Sequence, residues 1–169
     1  MMKTTFLNTF AAIILIAFSS LMAQESKLIT GTIGKEHMVG KKLVICELGT
    51  QACMFLDIDP NLETMINGKT YKPQELQVGW YLQAEVSKDQ KADQLISRLD
   101  VDPNKTIVCF TELNEHQNKA LEKQLREIKG IKRVKTYLKS RQVYIEYDQK
   151  TISYPEIENQ ITGLGYKIE

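Results

Sequence analysis

The feature that most constrains this chain is a change of hydrophobic period near residue 100. Before it, apolar residues fall in short β-like runs at 28–33, 42–47, 52–58, 63–66, 80–86 and 94–99, divided by turn dipeptides such as Gly49-Thr50 and Asn67-Gly68. No window there sustains a 3.6-residue period beyond one turn near Pro73–Leu76. Many short strands at this spacing predict a small all-β barrel or sandwich over residues 27–100. After residue 105 two stretches carry helical spacing. One, at 113–129, places Ala120, Leu121, Leu125 and Ile128 on one side and stops at Gly130. The other, at 153–164, turns Ile157, Ile161 and Leu164 inward, opens with a Ser153–Glu156 capping box and stops at Gly165. With strand-like runs at 105–110, 131–138, 142–147 and 166–168, the order is βαββαβ, a ferredoxin-like arrangement. The expected fold class is therefore α+β, an all-β domain followed by a ferredoxin-like one.

The first 23 residues stand apart. Lys3 precedes an unbroken apolar run from Phe10 to Phe18, followed by Ser19, Ser20 and a Leu-Met-Ala-Gln exit after Ala23. Nine apolar residues are too few to cross a hydrocarbon core, which needs about 20. Residues 1–23 are thus expected to be a secretory signal peptide, giving an exported protein, periplasmic or secreted, with no membrane span after cleavage.

Charge narrows the function further. Residues 24–104 hold 9 basic and 12 acidic side chains and residues 105–169 hold 12 and 9, so the two halves carry opposite signs that cancel. That balance argues against holding nucleic acid or anionic lipid by bulk charge, and favours docking of the halves on each other. The sign changes at residues 101–104, where Pro103 and Asn104 suggest a linker or tight turn. At 169 residues and 43% hydrophobic, the chain is neither a large multidomain enzyme nor a disordered tail.

In the first half, the stretch MINGKTYKPQELQVGWYLQAEV resembles a segment of small OB-like β-barrel domains of exported bacterial proteins. Taking Gly49-Thr50 as a two-residue loop sets Cys46 opposite Cys53. Counting outward makes this a hydrogen-bonded pair, with Cα atoms about 5.5 Å apart. A disulfide, two packed thiols, or a soft-metal site completed by Met38 or His37 are the alternatives.

In the second half, the stretch GIKRVKTYLKSRQVYIEYDQKTISYPEIENQITGLGYKIE resembles the hairpin, capped helix and Gly-Tyr of heavy-metal-associated domains, and the likeness extends loosely over residues 105–169. That resemblance implies binding of Cu(I), zinc or a related soft ion by two thiolates in a Met-x-Cys-x-x-Cys loop at the start of the first helix, where the dipole favours negative charge. Here the sequence departs from the family. Asn114 and Gln117 stand at the thiol positions and Glu112 at the Met position. Asn at the N-cap with Gln at N3 is instead a capping box.

Other ligands are few. His116, with Glu112 and Glu115 near it, is a candidate for a zinc or copper ion. Cys109 is expected in the apolar core, alternating with Ile107. On the sheet, strand alternation places Val134, Thr136, Leu138, Val143, Ile145 and Tyr147 inward, and Val108 and Phe110 on the outer face. Phe110, Arg133, Lys135, Tyr137 and Tyr144 then share an open face, expected to meet a protein partner or the N-terminal domain. No nucleophile–base pair or Gly-rich phosphate loop stands out. The expectation is a non-enzymatic binding protein with a degenerate thiolate site; the alternative is a copper or zinc carrier using His116 or the Cys46/Cys53 pair.

Overall fold

The computed structural model describes residues 26–87 and 94–169. The expected signal peptide at 1–23 lies outside these residues. Five strands form a closed barrel in the order β1-β2-β3-β7-β6: β1 (Ser26–Val39), β2 (Lys42–Glu47), β3 (Cys53–Ile58), β6 (Tyr81–Ser87) and β7 (Leu95–Asp102). A small hairpin of β4 (Thr64–Ile66) and β5 (Lys69–Tyr71) sits between β3 and β6, turning on Asn67 and Gly68, both at positive φ. The long β1 serves two neighbours. Its first half, residues 26–32, pairs with β6 and its second, residues 31–39, with β2, and the β2 register slips between Ile33 and Met38. Gly31 permits this crossing, because a Cβ there would strike the Cys46 carbonyl. Alternation along the strands turns Ile29, Ile33, Leu43, Ile45, Leu56, Leu82 and Ile96 into one barrel core with Trp80 beneath them.

The second unit is a three-stranded antiparallel sheet in the order β8-β10-β9, made of β8 (Lys105–Cys109), β9 (Ile131–Tyr137) and β10 (Gln142–Tyr147). Helices α1 (Glu115–Glu127) and α2 (Tyr154–Gly163) cover one face. Leu121 and Leu125 from α1 and Ile157 and Ile161 from α2 are fully buried against Val134, Val143, Ile145 and Tyr147. Ala120 and Leu164, counted as inward by periodicity, are exposed; Leu164 lies past the last turn as the helix C-cap.

The expected α+β class and complete βαββαβ order are not what forms. Strands make up 49% of the described residues and helix 21%, so what is described is mostly β, with one closed barrel and two α-helices. In the second unit the last strand is reduced to an isolated bridge between Phe110 and Ile168. The reason is local. Tyr166 commits its N–H to the Ile161 carbonyl at the end of α2, and its hydroxyl to the Gln117 carbonyl, so it packs as a helix plug and not as a ladder residue. Its ring meets Phe110 edge-on at 6.2 Å.

The expected linker is also shorter than residues 101–104. Val101 and Asp102 belong to β7, and only Pro103 and Asn104 separate it from β8. Asp102 accepts from the Asn104 N–H at 3.0 Å and pairs with Lys105 at 2.7 Å. Burial pushes its carboxyl up, but the Lys105 and Asn104 hydrogen bonds outweigh that and hold it below the usual range.

Candidate functional site

Three places carry the sequence-derived candidates: the mouth of α1, the sheet face that looks away from the helices, and the Cys46/Cys53 pair on the barrel hairpin.

At the mouth of α1, Asn114 is the N-cap. Its Oδ1 accepts from the Gln117 N–H at 2.9 Å, and Gln117 Oε1 accepts from the Asn114 N–H at 3.1 Å. Two N–H groups that would otherwise be orphaned at the helix start are therefore satisfied reciprocally. His116, Glu112 and Glu115 are all exposed beside this cap. Among the described residues no group of three or more His, Cys, Asp or Glu side chains is placed to hold a metal ion.

The sheet face differs from expectation at its first strand. Val108 lies opposite Val143 and Ile107 opposite Tyr144 in the β8–β10 register. Side chains of a cross-strand pair share a face, so Val108 and Phe110 point into the helix-covered core, where Phe110 is 1% exposed. Phe110 is thus removed from the open face, and Ile107 and Cys109 take that side. Cys109 is not in the helix-covered core. Of the remaining residues, Arg133 pairs with Glu146 at 3.6 Å and the Lys135 ammonium lies 4.9 Å from the centre of the Tyr137 ring.

The barrel covers the rest of this face. Tyr144 meets Tyr81 of β6 edge-on at 5.6 Å, and donates its hydroxyl proton to Glu146 at 2.9 Å. Burial first, and then the Glu146 carboxylate, push the Tyr144 phenol far up. Gln142 is 1% exposed and links the units through its side-chain amide. Its Nε2 donates to the carbonyls of Glu47 at 2.9 Å and Thr50 at 2.6 Å, and its Oε1 accepts from the Gly49 N–H at 2.7 Å. Lys35 of β1 adds a bond from its ammonium to the Glu169 carbonyl. Arg141, held at positive φ, adds a bond from Nη2 to Gln51 Oε1 at 2.7 Å and another to the Thr111 carbonyl. On the far side, Gly79 at positive φ lies flat against the Tyr154 ring, leaving no room for a Cβ. Tyr154 is half-buried there, and burial together with Glu158 raises its phenol well above the ordinary value.

Between the barrel and the sheet lies a cleft of about 310 Å³. Ile33, Val44 and Phe55 form its barrel wall and Ile107, Cys109 and Gln142 its sheet wall. Phe55 is half exposed. Cys46 and Cys53 lie on the barrel wall, joined in a disulfide. The metal alternative for this pair therefore gives way, because the disulfide leaves neither sulfur as a thiolate. Their pairing across the hairpin is direct, but the hydrogen-bond parity is the reverse of that counted from a two-residue loop. The Glu47 N–H bonds the Ala52 carbonyl, so the loop is wider and 46:53 is a non-hydrogen-bonded pair with Cα atoms 3.9 Å apart. Cys109 is a free thiol, half-buried, and burial raises its pKa despite the hydrogen bond from Gln142.

Sequence reasoning missed Gln142, Arg141 and Tyr81 as contact residues. Alternation places Gln142 on the same face as Tyr144, which is a signal. Its partners, however, are backbone groups more than 90 residues away, and no side-chain pattern announces them. Comparison with protein-family models, curated proteins and solved structures finds no match for this chain.

Proposed function

We propose that this is an exported, non-enzymatic binding protein whose two units work as one body, and whose likeness to heavy-metal-associated domains does not extend to their thiolate chemistry. The observation that carries the reading is the reciprocal Asn114–Gln117 cap. Neutral amides are poor donors to a soft cation, and here each amide oxygen is already engaged by a backbone N–H. The Cys46–Cys53 disulfide supports export, since such bonds persist in oxidising compartments. The surface left for a partner is the strand β9 side of the sheet, where Arg133 and Lys135 are exposed and Tyr137 is half-buried.

Metal analysis of the protein purified from the exported fraction tests this, followed by titration with Cu(I) and Zn(II) against a competing chelator. The expected result is substoichiometric metal and no retention at nanomolar free ion, unchanged by His116→Ala. Tight binding of one equivalent that His116→Ala abolishes would replace this reading with that of a metal carrier.

A further inference from the structure

The turn that grips Gln142 is poorly held by its own hydrogen bonds. Within it, the Glu47 N–H reaches the Ala52 carbonyl at 3.3 Å and the Thr50 N–H reaches the Glu47 carbonyl at 3.4 Å. The bonds of the Thr50 hydroxyl are 3.4 Å as well. These are long for N–H···O and O–H···O bonds. The three bonds from the turn to Gln142, at 2.6 to 2.9 Å, are shorter than any of them. Besides Gln142 and the Arg141–Gln51 bond, the turn is tied at its entry by the Leu48 N–H on the Thr30 carbonyl at 2.8 Å, and it is closed at its base by the disulfide, between adjacent strands and seven residues apart in sequence. The two carbonyls and one N–H that receive Gln142 are all inside the loop that this bond closes.

We propose that the Cys46–Cys53 disulfide is a redox-controlled latch on the docking of the two units: oxidised, it holds the β2–β3 turn in the shape that grips Gln142, and reduced, it releases the sheet from the barrel and opens the cleft. Gln142 is buried, and among the described residues its amide is held by the turn and the Cys109 thiol at 3.6 Å alone. A turn that changes shape therefore leaves a buried amide unpaired, a cost that favours undocking. Access is present, because Cys53 is exposed and Cys46 half-buried.

The co-reactant is a dithiol. One of its thiolates attacks Cys53 Sγ, the S–S bond breaks, and Cys46 leaves as a thiolate that takes up a proton. The second thiol of the reductant then attacks the mixed disulfide, releasing Cys53 as a thiol. The protein gains two electrons and two protons, and the dithiol loses the same and becomes a disulfide. Cys109 takes no part in the exchange and reports on it from the sheet wall of the cleft.

Alkylation of Cys109 by a bulky maleimide, followed by mass spectrometry of the full chain, tests the latch. Local opening controls the reactivity of a half-buried thiol. With the disulfide intact, labelling is expected to be slow. In the Cys46→Ala/Cys53→Ala variant it is expected to be at least about tenfold faster, equivalent to about 1.4 kcal/mol of docking. Gln142→Leu, which keeps the disulfide and removes the gripped amide, is expected to accelerate labelling similarly. Equal rates in the oxidised protein and the folded double variant would overturn the latch. Should circular dichroism show the double variant unfolded, Cys46→Val/Cys53→Val, which fills the cross-strand gap without the bond, takes its place: acceleration supports the latch and an unchanged rate overturns it.

Discussion

The barrel closes its β2–β3 hairpin with a covalent bond between Cys46 and Cys53, whereas the second unit closes the mouth of α1 with two hydrogen bonds between Asn114 and Gln117. Both devices tie off a turn between consecutive elements, and both stand where a metal-binding reading of the sequence would put thiolates. The difference separates two uses of a paired side chain. Sulfur in this chain serves architecture, on the wall between the units, and the helix mouth is finished with neutral amides. Among the described residues the opposite charges of the two halves meet in the Lys35–Glu158 pair at 3.9 Å and, at their junction, the Asp102–Lys105 pair; the docking rests on Gln142, Arg141, Tyr144, Tyr154 and the Lys35 bond to the Glu169 carbonyl.

The largest effects should come from the two cores, and they ask whether the comparison is between parts of one cooperative body. Leu82→Ala in the barrel and Leu125→Ala in the second unit each remove a fully buried side chain, and each should cost about 2–5 kcal/mol. Calorimetry is expected to show one transition that both substitutions lower. Two transitions, each moved by only one substitution, would break the docked-body account. Next in size is the disulfide. Closing so short a loop is worth about 2.5 kcal/mol in the chain-entropy picture, so Cys46→Ala/Cys53→Ala should shift the urea midpoint accordingly. Asn114→Ala is expected to cost about 1 kcal/mol, the ordinary value of an N-cap, read from the same urea curves. A loss much larger than that would show that the cap does more than end a helix.

The smallest expected effect is the acid limb of stability. Asp102 titrates below its unfolded value in the folded protein, so its contribution is complete above the unfolded carboxylate range and fades as pH falls through the lower folded pKa. Urea midpoints measured from neutral pH into acid should decline less steeply in Asp102→Asn than in the parent. Equal slopes would mean that the Lys105 pair is not coupled to folding.

Most strand runs, the two helices, their N-terminal caps and the pairing of Cys46 with Cys53 are legible in alternation, helical spacing and turn residues, whereas β5 and the second half of β1 are not. The remaining misses have identifiable reasons. Phe110 was assigned to the open face because a strand of five or six residues gives no anchor for its phase, and only the Val108–Val143 register settles it. The final strand failed because a Gly-Tyr after a helix serves equally well as a helix plug. The hairpin parity depended on loop width, which Gly49-Thr50 alone does not determine. The inter-unit contacts join a side chain to distant backbone, for which sequence offers no complementary partner to find.

Replacing the two amides at the helix mouth with sulfur tests the central claim most directly. Cu(I) titration of Asn114→Cys/Gln117→Cys against a competing chelator should show one tightly held ion per chain, while the parent protein releases the metal to the chelator. Equal and tight retention by the parent would contradict the account, because the ligands would then lie somewhere other than the positions the amides occupy.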